Sequence, residues 1–113
     1  MRVTIYHNPK CSNSRRCLEI IRELGFEPTV VEYLQHPPSG AELKMLVGKI
    51  GGNLRDVVRT KEPLFADLKL MQADDDVLLN AVAAHPILLN RPIVETAKGA
   101  KLCRPPELVR ALL

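Results

Sequence analysis

An α/β fold built on a small mixed sheet is what this 113-residue chain predicts. Three observations carry that expectation. Runs rich in β-branched residues open the chain and recur at Thr29 and Ile93. The segment between the first two runs has the spacing of a helix, not the alternation of a strand. Near the end, Lys98-Gly99 is a turn signal that folds one short run back onto the next.

Arg2-Val3-Thr4-Ile5-Tyr6 reads as the first strand and His7 to Cys11 as the loop after it. Ser12, Asn13 and Ser14 are all residue types favoured at a helix N-cap. Cys17, Ile20, Ile21 and Leu24 then follow at helical spacing until Gly25 ends the segment. Pro28 introduces a second strand, Thr29 to Leu34. A strand–helix–strand crossover of this length makes a parallel pair with a right-handed connection. After the break at His36-Pro37-Pro38, Ser39 and Glu42 form a capping box. Leu43, Leu46, Val47 and Ile50 make the buried stripe of that helix, and Gly51-Gly52 stops it. Asn53 caps a short turn through Val58, and Pro63 to Met71 is weakly patterned. Asp74-Asp75-Asp76 places acids at a helix start, where the macrodipole favours them. Val77, Leu78, Ala81 and Val82 carry that helix to His85-Pro86. Ile93 to Thr96 reads as a strand, Lys101-Leu102-Cys103 as its returning partner, and Pro105 as the start of a last helix with Leu108, Val109 and Leu112 on one face. The order is β-α-β, a helical insertion, then β-β-α, which matches the thioredoxin-like arrangement.

The length fits a single domain spanning residues 1–113. At 46% hydrophobic and 26% charged, the composition excludes a disordered chain, a collagen or a disulfide scaffold. Sixteen basic against 13 acidic residues leave a net charge of only +3, with no basic run along any segment. With no Trp, two Tyr and two Phe, there is little on which to stack bases, so no nucleic-acid partner is expected. No apolar run approaches the roughly 20 residues of a bilayer span, and the first residues lack the apolar core of a secretion signal. Three cysteines, an odd and low number, read as free thiols in a cytoplasmic protein. His85 has no partners at metal-ligand spacing, and no Cys/His set fits zinc.

Cys11 is the most informative residue. It falls between a strand and a helix start, where free N–H groups and the helix dipole stabilise a thiolate and can hold an oxyanion beside it. Lys10, Arg15 and Arg16 add positive charge nearby. The plainer alternative is an inert surface thiol. Cys17 lies on the apolar stripe with Ile21 and Leu24 and reads as core. A resolving cysteine at Cys-x-x-Cys spacing would fall at position 14, where the chain has Ser14. Ser14 either donates to the thiolate or caps the helix, and capping is the simpler reading. Asn8 reads as a turn residue.

The stretch His7-Asn8-Pro9-Lys10-Cys11-Ser12-Asn13-Ser14-Arg15 resembles the active-site signature of the glutaredoxin-coupled arsenate reductase family. Leu54 to Arg59, His85 to Val94 and Leu102-Cys103-Arg104-Pro105 are similar too, in order and at matching spacing. The resemblance implies a thioredoxin-like fold with a helical insertion. It implies Cys11 as the catalytic nucleophile, His7 as the residue that helps keep it ionised, and Arg59, Arg91 and Arg104 as oxyanion-binding residues. Read alone, each arginine is a solvated surface cation and His7 a hydrogen-bonded structural residue. Chemistry supports the implied roles, because arsenate near neutrality is a tetrahedral anion that suits the fixed donor fork of arginine.

The resemblance also implies a mechanism. Cys11 attacks arsenate, glutathione joins the adduct as arsenic is reduced, and glutaredoxin takes the glutathione sulfur as arsenite leaves. No cofactor is bound, and glutathione and glutaredoxin serve as external reductants. Cys103 sits beside Arg104 but is taken as structural, and a cis peptide bond is expected at Arg91-Pro92, the place of the cis proline in thioredoxin-like folds. The chain ends at Leu113, where some family members run further; a tail there would bear on stability or glutaredoxin docking. Two other readings stay open. One is a related thiol oxidoreductase acting on another oxyanion or a glutathionylated substrate. The other is an Spx-like transcriptional regulator, which Ser14 in place of a second cysteine argues against.

Overall fold

A computed structural model of the chain describes residues 1–113. Strand β1 (Thr4–His7) leads into helix α1 (Ser12–Glu23), and β2 (Thr29–Glu32) returns parallel to β1. The insertion holds α2 (Gly40–Ile50), a 3-10 turn at Leu54–Val57, the short α3 (Pro63–Asp67), a second 3-10 turn at Leu70–Gln72, and α4 (Asp75–Ala84). A further 3-10 turn at Pro86–Leu88 precedes β3 (Ile93–Thr96), which pairs antiparallel with both β1 and β4 (Gly99–Leu102). The sheet order is β2-β1-β3-β4, the mixed sheet expected of a thioredoxin-like chain.

Alternation along the strands sends side chains to two cores. Tyr6 and Ile93 face the larger one with Tyr33, just after β2, and with Leu43, Leu46, Phe65, Leu78 and Leu88. Ile5 and Val94 face the smaller one, which α1 and the C-terminal turn close with Cys17, Ile20, Ile21, Val109 and Leu112. Burying a side chain of this size contributes about 1.5–3 kcal/mol, so these stripes hold the helices to the sheet.

Several local signals act as the sequence predicts. Ser39 and Glu42 form a reciprocal capping box, and Gly51 ends α2 in the left-handed conformation, with φ 81°. The Asp74 carboxylate accepts from the Val77 N–H at 2.9 Å. Other expectations shift. The first strand runs to His7, so His7 belongs to the sheet and not to the loop. Leu24 and Val77 are exposed, because the stripes of α1 and α4 close on Ile21 and on Leu78 with Val82. Residues within 63–71, without a clear period in the sequence, form α3 and a 3-10 turn anchored by Phe65 and Leu70. The last helix is a 3-10 helix, Pro106–Leu112, one residue later than expected. Its three-residue repeat buries Pro106, Val109 and Leu112 and turns Leu108 outward. The expected cis bond at Arg91-Pro92 is present, and Arg104-Pro105 is cis as well. No helix is long and apolar enough to cross a membrane.

Candidate functional site

The site begins with one turn of chain. Asn8 folds the segment after β1 on itself: its backbone oxygen accepts from the Cys11 N–H and its side-chain oxygen from the Lys10 N–H, both at 3.0 Å. Arg15 braces the turn from α1 by donating to the Pro9 carbonyl at 2.9 Å. This leaves Cys11 as the N-cap residue of α1, in extended conformation, with its carbonyl accepting the first helical bond from Arg15. No side-chain oxygen caps the helix. The thiol stands at that helix start, where the N–H groups of Ser14 and Asn13 favour its ionised form.

The Cys11 side chain is nearly buried, at 8% exposure. Burial alone pushes its pKa up. The Ser14 N–H, the hydrogen bond and charge of the Arg91 guanidinium, and the Asn13 N–H outweigh it, so the net shift is downward. The helix start therefore carries the effect that the sequence predicts for this position. Arg16 does not contribute. It lies on the outer face of α1, paired with Glu19 at 2.8 Å and Glu23 at 3.2 Å.

Ser14 is not a cap. Its hydroxyl is fully buried, accepts from the Asn8 N–H at 3.0 Å and sits 2.6 Å from His7 Nδ1. Burial lowers the His7 pKa; Glu32 opposes this, and the charges of Arg22 and Arg15 add to it. The downward shift favours the neutral ring, whose Nδ1 shares a short hydrogen bond with the Ser14 hydroxyl. Ser14 thus ties His7, at the end of β1, to the turn that positions Cys11.

Two short backbone links bring the arginines together. Val58 and Leu89 form an isolated antiparallel bridge. It is flanked by Arg59 N–H to Leu88 O and Asn90 N–H to Val57 O, both at 2.7 Å. The Cys103 N–H then donates to the Pro92 carbonyl at 2.8 Å, and an Arg104 Nη1–H donates to the Arg91 carbonyl at 2.9 Å. Arg59 and Arg91 line one open cleft of about 470 Å³ with His7, Asn8, Lys10 and Glu62. Arg104 faces a neighbouring cleft of about 220 Å³, which it shares with Arg59 and Lys61. The structure therefore gathers His7, Cys11, Ser14, Arg59 and Arg91, and sets Arg104 behind Arg91. Arg59 Nε and Arg91 Nε are buried without a hydrogen-bond partner. Leaving a buried donor unsatisfied typically costs about 1–3 kcal/mol, and an oxyanion bound in the cleft would supply acceptors.

Three residues escaped the sequence reading. Glu32 and Glu62 put carboxylates into the cleft. Tyr33 is almost wholly buried, and that burial chiefly raises its pKa, while the Arg91 charge and Asn8 lower it. In the sequence Tyr33 is one apolar position of a strand, and only the fold sets it near these site residues. No group of three or more His, Cys, Asp or Glu side chains is arranged to hold a metal ion.

Comparison with known proteins matches residues 6–112 to the ArsC family. The chain is 50% identical over 115 aligned residues to a protein named arsenate reductase from Rhizobium meliloti, covering all of this chain and 82% of that one. It is 47% identical over 113 residues to an arsenate reductase of Escherichia coli, covering 98% of this chain and 80% of the relative. Among solved structures, an arsenate reductase from Vibrio cholerae superposes with a TM-score of 0.96 at 46% identity, covering 100% and 98% of the two chains.

Proposed function

The chain belongs to the ArsC family, and on that premise we propose that it is an arsenate reductase, acting in the cytoplasm and drawing its electrons from glutathione and glutaredoxin. One observation carries the reading. A thiol at the start of α1 has its pKa lowered in part by an arginine, that arginine shares a cleft with a second one, and each offers a buried unpartnered Nε.

Arg91 and Arg59 hold the oxyanion and offset its charge as the thiolate approaches. Electrostatic stabilisation of this kind can be worth several kcal/mol. Arg104 holds the Arg91 carbonyl and adds positive charge from the adjoining cleft. The Cys11 thiolate attacks As(V), and one arsenate hydroxyl leaves, taking up a proton to depart as water. A bond forms between Cys11 Sγ and arsenic. Glutathione then displaces a second arsenic-bound hydroxyl, which departs as water with the thiol proton, giving a Cys11–As(V)–glutathione species. The glutaredoxin thiolate then takes the glutathione sulfur, and the electron pair of that sulfur–arsenic bond stays on arsenic. Two thiols have become one disulfide and As(V) has become As(III). Hydrolysis of the Cys11–arsenic bond releases arsenite.

Dependence on outside thiols has local support. Ser14 stands where a resolving cysteine would, and Cys17 and Cys103 lie wholly in the smaller core. The test is arsenite formation by the purified protein with arsenate, glutathione and glutaredoxin, each omitted in turn. Turnover is expected only in the complete mixture. No arsenite at all contradicts the reductase reading, and an undiminished rate without glutaredoxin contradicts the coupling.

A further inference from the structure

The mechanism above uses the cations of the cleft and leaves its two carboxylates, Glu32 and Glu62, unexplained; Glu62 is the one beside an oxyanion-binding arginine. Glu62 lies three residues after Arg59, and its N–H donates to the Arg59 carbonyl at 3.0 Å, so a single turn carries both side chains to the cleft. Its Oε2 stands 3.7 Å from Arg59 Nε, an ion-pair distance too long for a hydrogen bond. The side chain is largely enclosed, at 21% exposure. The other ionisable groups lining the cleft are His7, Lys10, Glu32, Arg59 and Arg91. Glu32 stands across from His7 in the β1–β2 register.

A carboxylate in an anion site works against affinity by repulsion, unless the anion brings a proton of its own. An ionised carboxylate can only accept hydrogen bonds. Arsenate and phosphate near neutrality carry at least one O–H that can donate to it. Sulfate, of the same shape and charge, carries none, and would set bare lone pairs against the carboxylate. Such an arrangement selects by rejecting the wrong partner as well as by holding the right one.

We infer that Glu62 is a specificity-determining residue, accepting the O–H of a protonated tetrahedral oxyanion held by Arg59 and Arg91 and excluding unprotonated sulfate. The inference rests on the arsenate reading and adds which form of oxyanion the cleft admits.

The test compares inorganic phosphate with inorganic sulfate at pH 8, where both are dianions. Binding is measured by calorimetry and by competitive inhibition of arsenate turnover, for wild type, Glu62→Gln, Glu62→Ala and Glu32→Gln. Wild type is expected to prefer phosphate. Both Glu62 variants should lose that preference by about tenfold or more, the range of a charge-assisted hydrogen bond, mainly through tighter sulfate binding. Three results overturn the inference: a wild type that binds sulfate as well as phosphate, or neither; Glu62 variants in which both anions shift together, as they would if Glu62 only steadied Arg59; or a preference that collapses in Glu32→Gln alone. Arsenate turnover with an unmoved ratio sinks this inference and spares the reductase reading. A moved ratio without arsenite formation does the reverse.

Discussion

Cys11, the N-cap of α1, and Cys17, inside it, lie six positions apart, and their environments drive their thiols in opposite directions. Both are buried, and burial alone raises both pKa values. At Cys11 the free N–H groups of Ser14 and Asn13 and the Arg91 guanidinium reverse that effect. Cys17 lies inside the helix, where the ladder uses the N–H groups. Its neighbour is Cys103, and the contact between the two thiols is the largest cause raising its pKa, followed by burial. All three cysteines are free. Enclosure acts alike on both thiols, so the opposite shifts come from the groups each one meets, the helix start and Arg91 for Cys11 and Cys103 for Cys17.

The largest expected effect comes from erasing the reactive side of this contrast. Cys11→Ser should abolish arsenite formation while leaving the circular dichroism spectrum unchanged. Residual turnover above a few per cent would mean that another thiol does the chemistry. Next is the donor that separates the two thiols. Arg91→Ala should lower kcat/KM for arsenate by roughly 10- to 150-fold, the loss of one charge-assisted contact, and should raise the Cys11 pKa as well. Arg59→Ala should lower kcat/KM with less effect on the pKa, and Arg104→Ala should do least, since it faces the neighbouring cleft. Lysine should rescue Arg91 only in part, lacking the planar fork.

Ser14→Ala tests the link between His7 and the turn. It strips the Asn8 N–H and the His7 ring of a partner in a buried setting. A loss of about 1–3 kcal/mol in urea unfolding is expected. His7 also sets a pH dependence. Its folded pKa lies below the unfolded value of about 6.5, so the unfolded chain takes up its proton first. The stability that His7 contributes is complete above that value and falls as pH drops through it toward the folded pKa. The urea midpoint should decline from pH 7 to pH 5, and His7→Gln should flatten that decline. The smallest effect on activity belongs to Cys17→Ala, which should keep most turnover and lose about 1–2 kcal/mol of stability to a small core cavity. Abolished turnover with the fold intact would instead make Cys17 a redox partner of Cys11.

The pattern of legibility follows from how far each feature depends on distant chain. The capping box of α2, the Cys17, Ile20 and Ile21 stripe and the Lys98-Gly99 turn are local, and a reader of the sequence finds them. The candidate site is legible through Cys11, whose loop-to-helix position is local, and through family resemblance for His7 and the arginines. The hydrogen bonds of Ser14 are not, because a serine near a helix start caps far more often than it reaches back to a strand. Arg104 looked equivalent to Arg59 and Arg91, and only the folded backbone sets it in the neighbouring cleft. The 3-10 period of Pro106–Leu112 is masked by proline and leucine residues that suit an α-helix equally well.

The most direct test of the account is the ionisation of Cys11 in the native protein. Alkylation by iodoacetamide, followed by mass spectrometry at each cysteine across pH 4 to 10, reports the thiolate fraction residue by residue. The account predicts an apparent pKa for Cys11 below the free-cysteine value of about 8.5, rising in Arg91→Ala, with Cys17 and Cys103 unreactive throughout. A Cys11 that titrates at or above the free value, or that is insensitive to the loss of Arg91, would contradict it.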